Sequence, residues 1–241
     1  MQDFKKQHEG KISFLNLSRE ECQAINQKIL DNGHILLGTA QHCSSQNNHG
    51  LALSLTILGA EEYLKGMILY FNGIGINVFT IQELRGLLSN HKNRHEMACL
   101  MELLRIIEMI ITVDSIEVTK RANTSLIDDL ISLANTASVV LKSVVGITDN
   151  INWWEKADDY KKRGLYVGYD GALLLPSSIT KEEYDTANKI VTELINSFRV
   201  IKIAFERMSP DELQRTLEDI NKGLAIMASK NQKSNKEMLK K

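Results

Sequence analysis

The sequence predicts an all-α protein, a bundle of about seven helices with one short loop or hairpin inserted near residues 164–179. Three observations predict it. Only two prolines, Pro176 and Pro210, stand in 241 residues, so little interrupts long helices. Apolar residues recur at helical spacing through most of the chain. Capping-box pairs, a hydroxyl residue followed three positions later by glutamate, occur at Ser18/Glu21, Thr80/Glu83 and Thr180/Glu183.

The elements follow in order. Ser18 caps a first helix over residues 18–43, with Ile25, Ile29, Leu36, Leu37 and Ala40 at helical spacing and Gly33 weakening its middle. The polar cluster "SSQNNHG" (44–50) connects it to a second helix over about 50–72, which ends before "NGIGIN". A third element starts at Thr80. Ser89 and Asn90 are cap-type residues, so it breaks there and restarts toward Ile111. A fourth helix fits 121–145. A fifth, over about 149–163, is aromatic and charged, and its Trp153–Trp154 pair turns at least one indole outward as an interface anchor or a partly buried side chain. The Gly, Asp and Pro spacing of "GLYVGYDGALLLPSS" breaks the helical pattern and predicts a turn or hairpin, packed onto the bundle by Tyr166 and Tyr169 with Arg163 stacked or paired. Thr180 caps a sixth helix reaching roughly Met208. Ser209 caps a seventh, with Pro210 at its first position and acids in the first turn. Residues 1–228 therefore read as a single helical domain. The stretch 229–241, with five lysines and one glutamate, reads as a flexible tail.

Composition limits the function. At 43% hydrophobic and 24% charged, the chain is of the soluble globular kind. A net charge of −1 gives no global basic field of the sort that announces nucleic-acid binding, although it leaves room for a local patch. Cys22, Cys43 and Cys99 have no metal-like spacing and leave an odd thiol, which predicts a reducing, cytoplasmic setting. The polar start "MQDFKKQHEGK" has no secretory pattern. "LALSLTILGAEEYLKGMIL" is interrupted by Glu61, Glu62 and Lys65, so no membrane partner is expected.

Two polar features stand out against the apolar pattern. On the second helix, at about 100° per residue, Ser54, Glu61, Lys65 and Asn72 form one narrow seam on an otherwise apolar surface. Glu61 and Lys65 are spaced i, i+4 in the favourable order for an ion pair. The seam is expected to be the solvent side; the alternative is a seam facing another polar face across a groove.

The second feature is "SNHKNRH". His91 and His95 are spaced i, i+4 and share a helix face. With Glu61 or Glu62 they have the residue types of a zinc site, but the spacing is common by chance, and neither metal nor cofactor is predicted. Arg85, Asn90, His91, Lys92 and Arg94 also have the residue types of RNA phosphodiester chemistry. A histidine near neutral pKa moves the proton, cations balance the phosphate as charge develops, and Asn90 orients a ribose or phosphate oxygen. The bland alternative is a solvated helix start. Cations at a helix N-terminus are electrostatically unhelpful to the helix itself, which counts mildly against that alternative. "NGIGIN" lacks the spacing of a phosphate-cradling loop, so nucleotide binding ranks last.

"LGAEEYLKG", followed by "NHKNRH", resembles the AbiV-type abortive infection family of the HEPN superfamily, through Glu61, Glu62 and Lys65 and then His91, Lys92 and Arg94. "RGLYVGYDGALLLPSSIT" resembles a later signature of that family through Arg163, Gly164, Leu165, Tyr166, Asp170, Gly171, Pro176, Ile179 and Thr180. The likeness covers roughly residues 18–200. It implies a HEPN-like helical bundle, often dimeric, acting in bacterial defence against phage. Many HEPN proteins are metal-independent endoribonucleases that use an arginine and a histidine separated by four to six residues, and Arg85 and His91 fit that spacing. In a straight helix the two point about 120° apart, and a break at Ser89–Asn90 brings them closer. The implied function is an anti-phage effector acting on RNA or translation, with His91 as acid/base, Arg85, Lys92 or Arg94 on phosphate, and Glu61, Glu62 and Lys65 in support. The alternative is a non-catalytic protein that senses a phage component and blocks host translation by binding.

Overall fold

A computed structural model describes residues 13–81, 84, 85, 88, 104, 107 and 152–238, with side chains as far as 225. Among these residues it is an all-α bundle with one tiny sheet. Its elements are α1 (Arg19–Ser45), α2 (His49–Ile74), α3 (Ala157–Leu165), β1 (Gly168–Tyr169), β2 (Leu173–Leu174), α4 (Lys181–Arg207) and α5 (Pro210–Met238). The expected fourth helix and most of the third lie outside the described residues, though Leu84, Arg85, Leu88, Leu104 and Ile107 are helical.

The helix starts follow the local sequence. Ser18 and Glu21 form a complete capping box at α1, as do Thr180 and Glu183 at α4. At α5, the Ser209 backbone N–H donates to Glu212 at 2.9 Å and the Glu212 N–H returns to the Ser209 hydroxyl at 3.4 Å. α2 ends on Gly75, whose φ of 108° belongs to the left-handed region and stops the helix. α5 is helical through Met238 and so includes most of the stretch read as a tail.

α2 is the axis of the bundle. It packs antiparallel on α1 along a seven-residue seam, in which Leu37, Leu30 and Gln23 of α1 meet Gly59, Gly66 and Gly73 of α2. A Cβ on those glycines would approach the α1 side chains to 2.9, 2.7 and 2.8 Å. Only glycine lets the backbones come this close, and a seven-residue repeat keeps one face toward the partner. On the other side, Phe198 of α4 meets Tyr63, Tyr70 and Phe71 edge-on, with ring centroids 5.9, 5.5 and 5.6 Å apart. Phe71, Phe198, Met67, Ile68, Ile81 and Leu84 are fully buried in this core.

The loop after α2 is clamped from two sides. Asn221 of α5 accepts from the Asn77 N–H at 2.8 Å and donates to the Gly75 carbonyl at 3.0 Å, while Arg19 of α1 donates to the Asn77 side chain at 2.9 Å. These bonds fix where the chain leaves α2 for the segment that carries Arg85.

The inserted segment is a minimal antiparallel hairpin, pairing Gly168 with Leu174 and Tyr169 with Leu173. It does not pack onto the bundle as the sequence led us to expect. Tyr166 is 66% exposed and Tyr169 79%. Gly171 (φ 68°) turns the chain at its tip, and the pairing is too short to aim these rings inward.

Candidate functional site

The polar seam of α2 is largely buried, which corrects the expectation that it faces solvent. Ser54 is fully buried and Asn72 is 9% exposed, while the side chains of Glu61 and Lys65 retain only 20% and 17% exposure. Buried polar groups need partners, and two different helices supply them. The Ser54 hydroxyl donates to the Lys161 carbonyl at the C-terminal end of α3, at 2.9 Å. The Asn72 amide donates to Cys22 Sγ of α1 at 3.5 Å.

Glu61 and Glu62 point to opposite sides. Glu61 Oε1 accepts from Lys161 Nζ at 2.6 Å, which joins α2 to α3. Glu62 faces α1, where it takes the Lys65 ammonium at 2.5 Å and the Asn32 amide at 3.3 Å. Lys65 thus pairs with Glu62 at i, i+3, and not with Glu61 at i, i+4 as the spacing predicts.

Lys161 was missed by sequence reasoning. It is 9% exposed and lies between two carboxylates, Glu61 and Asp158, the latter at 3.3 Å. Asp158 also holds Lys162 at 2.6 Å. The Lys162 hydrogen bond, helped by Lys161, draws the Asp158 carboxyl below its ordinary 3.8. The i, i+3 and i, i+4 spacing of Asp158 with Lys161 and Lys162 is legible in "DDYKK", but nothing local links that motif to Glu61, 100 residues earlier. Two of the cations near the seam, Lys161 and Lys65, are therefore balanced by carboxylates within the fold. Neither presents a spare charge to a phosphate.

Arg85 is placed differently. Its backbone N–H donates to the Ile81 carbonyl at 3.1 Å. Its neighbour Leu84 is fully buried, and Leu104 and Ile107 of the same region are buried as well. The apolar side of this helical segment sits in the core, and Arg85 is on the exposed side. Asn90, His91, Lys92, Arg94 and His95 lie outside the described residues.

Arg163, at the end of α3, lies over the Tyr160 ring at 5.9 Å and contacts Glu183 at 3.4 Å, so it both stacks and pairs. Trp154 is buried while Trp153 is half-buried and stacks on Tyr160 at 6.1 Å. Trp153 and Tyr160, together with Leu53, Thr180 and Glu183, line a cleft of about 200 Å³ beside the capping box of α4. Among the described residues no group of histidine, cysteine, aspartate or glutamate side chains has metal-site geometry. Nor is any described helix long and apolar enough to cross a membrane.

A family model for AbiV, of the HEPN type, matches residues 21–196. The chain belongs to the AbiV family of HEPN proteins. The AbiV match runs from the first turn of α1 into α4 and contains Glu61, Lys65, Arg85, Lys161, Arg163 and Tyr166. AbiV membership associates the chain with abortive infection, a defence against phage. The helical HEPN architecture agrees with the bundle described above. No curated protein and no solved structure matches the chain.

Proposed function

We propose that this AbiV-family protein is a cytoplasmic homodimer that answers a phage component by acting on RNA or the translation machinery, with Arg85 and His91 as its reactive pair. The observation that carries this reading is the placement of Arg85 on a core-anchored helical segment within the region that matches the AbiV family. Arg85 is exposed, and its neighbour Leu84 is fully buried. A guanidinium on a core-anchored element suits a phosphate through its planar fork of donors. Lys92, Arg94 and Asn90 would add phosphate or ribose contacts, and His91 would move the proton between the 2′-hydroxyl and the leaving oxygen. Glu61, Glu62 and Lys65 act one step away, by fixing α2 against α3 and α1.

The test is phage challenge of bacteria expressing the wild type, Arg85→Ala or His91→Ala, with plaque number as the readout. Both variants are expected to accumulate normally and to lose protection. Full protection by both would overturn the assignment of the pair.

A second reading has an observation of its own. Glu61 and Glu62 are both engaged inside the fold, as they would be in a non-catalytic protein that blocks translation by binding. On that reading His91→Ala leaves protection intact, and only variants that loosen the helices abolish it.

A further inference from the structure

The cleft beside the capping box of α4 is built from two kinds of group. Trp153 and Tyr160 are its aromatic part, with ring planes 24° apart and centroids 6.1 Å apart, and the buried Leu53 of α2 lines it as well. Glu182 and Glu183, in the first turn of α4, supply its charge. Among the described residues that line it there are two carboxylates and no lysine or arginine. An aromatic face beside an unbalanced carboxylate is a setting that attracts cations.

The two carboxylates are not equivalent. Glu183 is committed within the fold: its Oε2 accepts from the Thr180 N–H at 2.9 Å, and its Oε1 meets the Arg163 guanidinium at 3.4 Å. Glu182 is exposed and has no hydrogen bond or ion pair among the described residues. The positive end of the α4 dipole, which would draw an anion, is already faced by these two glutamates. Arg163 shows what the same chemistry accepts. Its guanidinium lies 5.9 Å from the centroid of Tyr160 while it pairs with Glu183, so one ring and one carboxylate already share a guanidinium next to the cleft. Trp153 and Glu182 are a second ring and a second carboxylate, and no described cation bridges them.

We propose that the cleft binds a guanidinium group, stacked on Trp153 and paired with Glu182. A planar guanidinium can do both at once, through its face and its fork of donors. At about 200 Å³ the cleft is smaller than the roughly 300–1,000 Å³ of a drug-sized ligand site, so it suits a single head group. That head group comes from an arginine side chain of a protein partner or from a small free guanidinium compound. A nucleotide fits less well, because its phosphates would meet Glu182 and Glu183. This site is separate from the Arg85 and His91 pair and does not depend on whether the protein cuts RNA.

The experiment is a fluorescence titration of the full chain, whose two tryptophans are Trp153 and Trp154, so that the signal reads the cleft. The probes are methylguanidinium, an acetyl-Gly-Arg-Gly amide, the same peptide with neutral citrulline in place of arginine, and adenosine monophosphate. The arginine peptide is expected to bind the wild type with a dissociation constant on the order of 1 mM, as one stacked cation with one charge-assisted contact supplies. The citrulline peptide is expected to bind at least roughly tenfold more weakly. Glu182→Gln, a change at an exposed position that leaves the fold intact, is expected to weaken the arginine peptide roughly fivefold. Binding of the arginine peptide well above methylguanidinium supports the site with a protein side chain as its occupant, and equal binding supports it with a small compound. Equal binding of the two peptides, an unaffected Glu182→Gln, or tighter binding of adenosine monophosphate than of either guanidinium probe would overturn the proposal. So would the lack of any fluorescence change with the guanidinium probes at tenfold the expected constant.

Discussion

Lys161 Nζ lies 2.6 Å from Glu61 Oε1 and ties α3 to the central helix across 100 residues of sequence. Both side chains are mostly withdrawn from water, at 11% and 20% exposure. Truncating the lysine leaves the Glu61 carboxylate poorly solvated and without this partner. Lys161→Met is expected to lower unfolding free energy by about 2 kcal/mol. The double variant Lys161→Met/Glu61→Gln is expected to recover part of that loss. Urea denaturation of the three proteins checks both expectations, and a full-sized loss in the double variant would contradict the pairing.

Gly164 and Gly38 offer opposite outcomes for one substitution. Gly164→Ala drives a methyl into the Gly50 carbonyl and the Ser54 hydroxyl. Neither can retreat cheaply, so a loss of about 3 kcal/mol is expected. Gly38, inside α1, has nothing within 4 Å of its added Cβ. Gly38→Ala is expected to gain about 0.5–1 kcal/mol through helix propensity. Thermal melts of the two variants read the difference in sign directly.

Asp158 gives the bundle part of its acid sensitivity. The Lys162 hydrogen bond, with Lys161 beside it, holds its carboxyl below the ordinary 3.8 in the folded protein. A depressed folded pKa contributes stability that is fully present above 3.8 and is lost as pH falls through the folded value. Asp158→Asn is therefore expected to be less stable than the wild type at neutral pH. The gap should close below pH 3.8, in stability measured as a function of pH.

The described cysteines differ in reactivity. Cys22 is fully buried under the Asn72 amide, and burial pushes its thiol up from the usual range. Cys43 is half-buried. Alkylation of the native protein followed by peptide mapping is expected to modify Cys43 well before Cys22. The reverse order would contradict the packing of α1 on α2.

Local signals carried much of the fold. Ser18, Thr180 and Ser209 start helices because their side chains meet backbone donors three residues on, and that geometry is written in consecutive residues. The site of the hairpin was legible from its glycines and Pro176, but the outward turn of Tyr166 and Tyr169 was not. Exposure of an aromatic depends on what else the chain brings to it. The seam of α2 was legible as a stripe, but its burial was not, because Ser54 and Glu61 find their partners on α3. Gly59, Gly66 and Gly73 show a seven-residue spacing in the sequence. As helix-weakening residues they gave no hint of a helix contact until Leu37, Leu30 and Gln23 were seen against them.

The most direct test of the central claim uses purified protein and total cellular RNA in chelator-treated buffer. The wild type is expected to produce discrete cleavage fragments. Arg85→Ala and His91→Ala, folded by circular dichroism, are expected to produce none. Undiminished cleavage by His91→Ala, or intact RNA with every protein, would contradict the claim that Arg85 and His91 act on RNA.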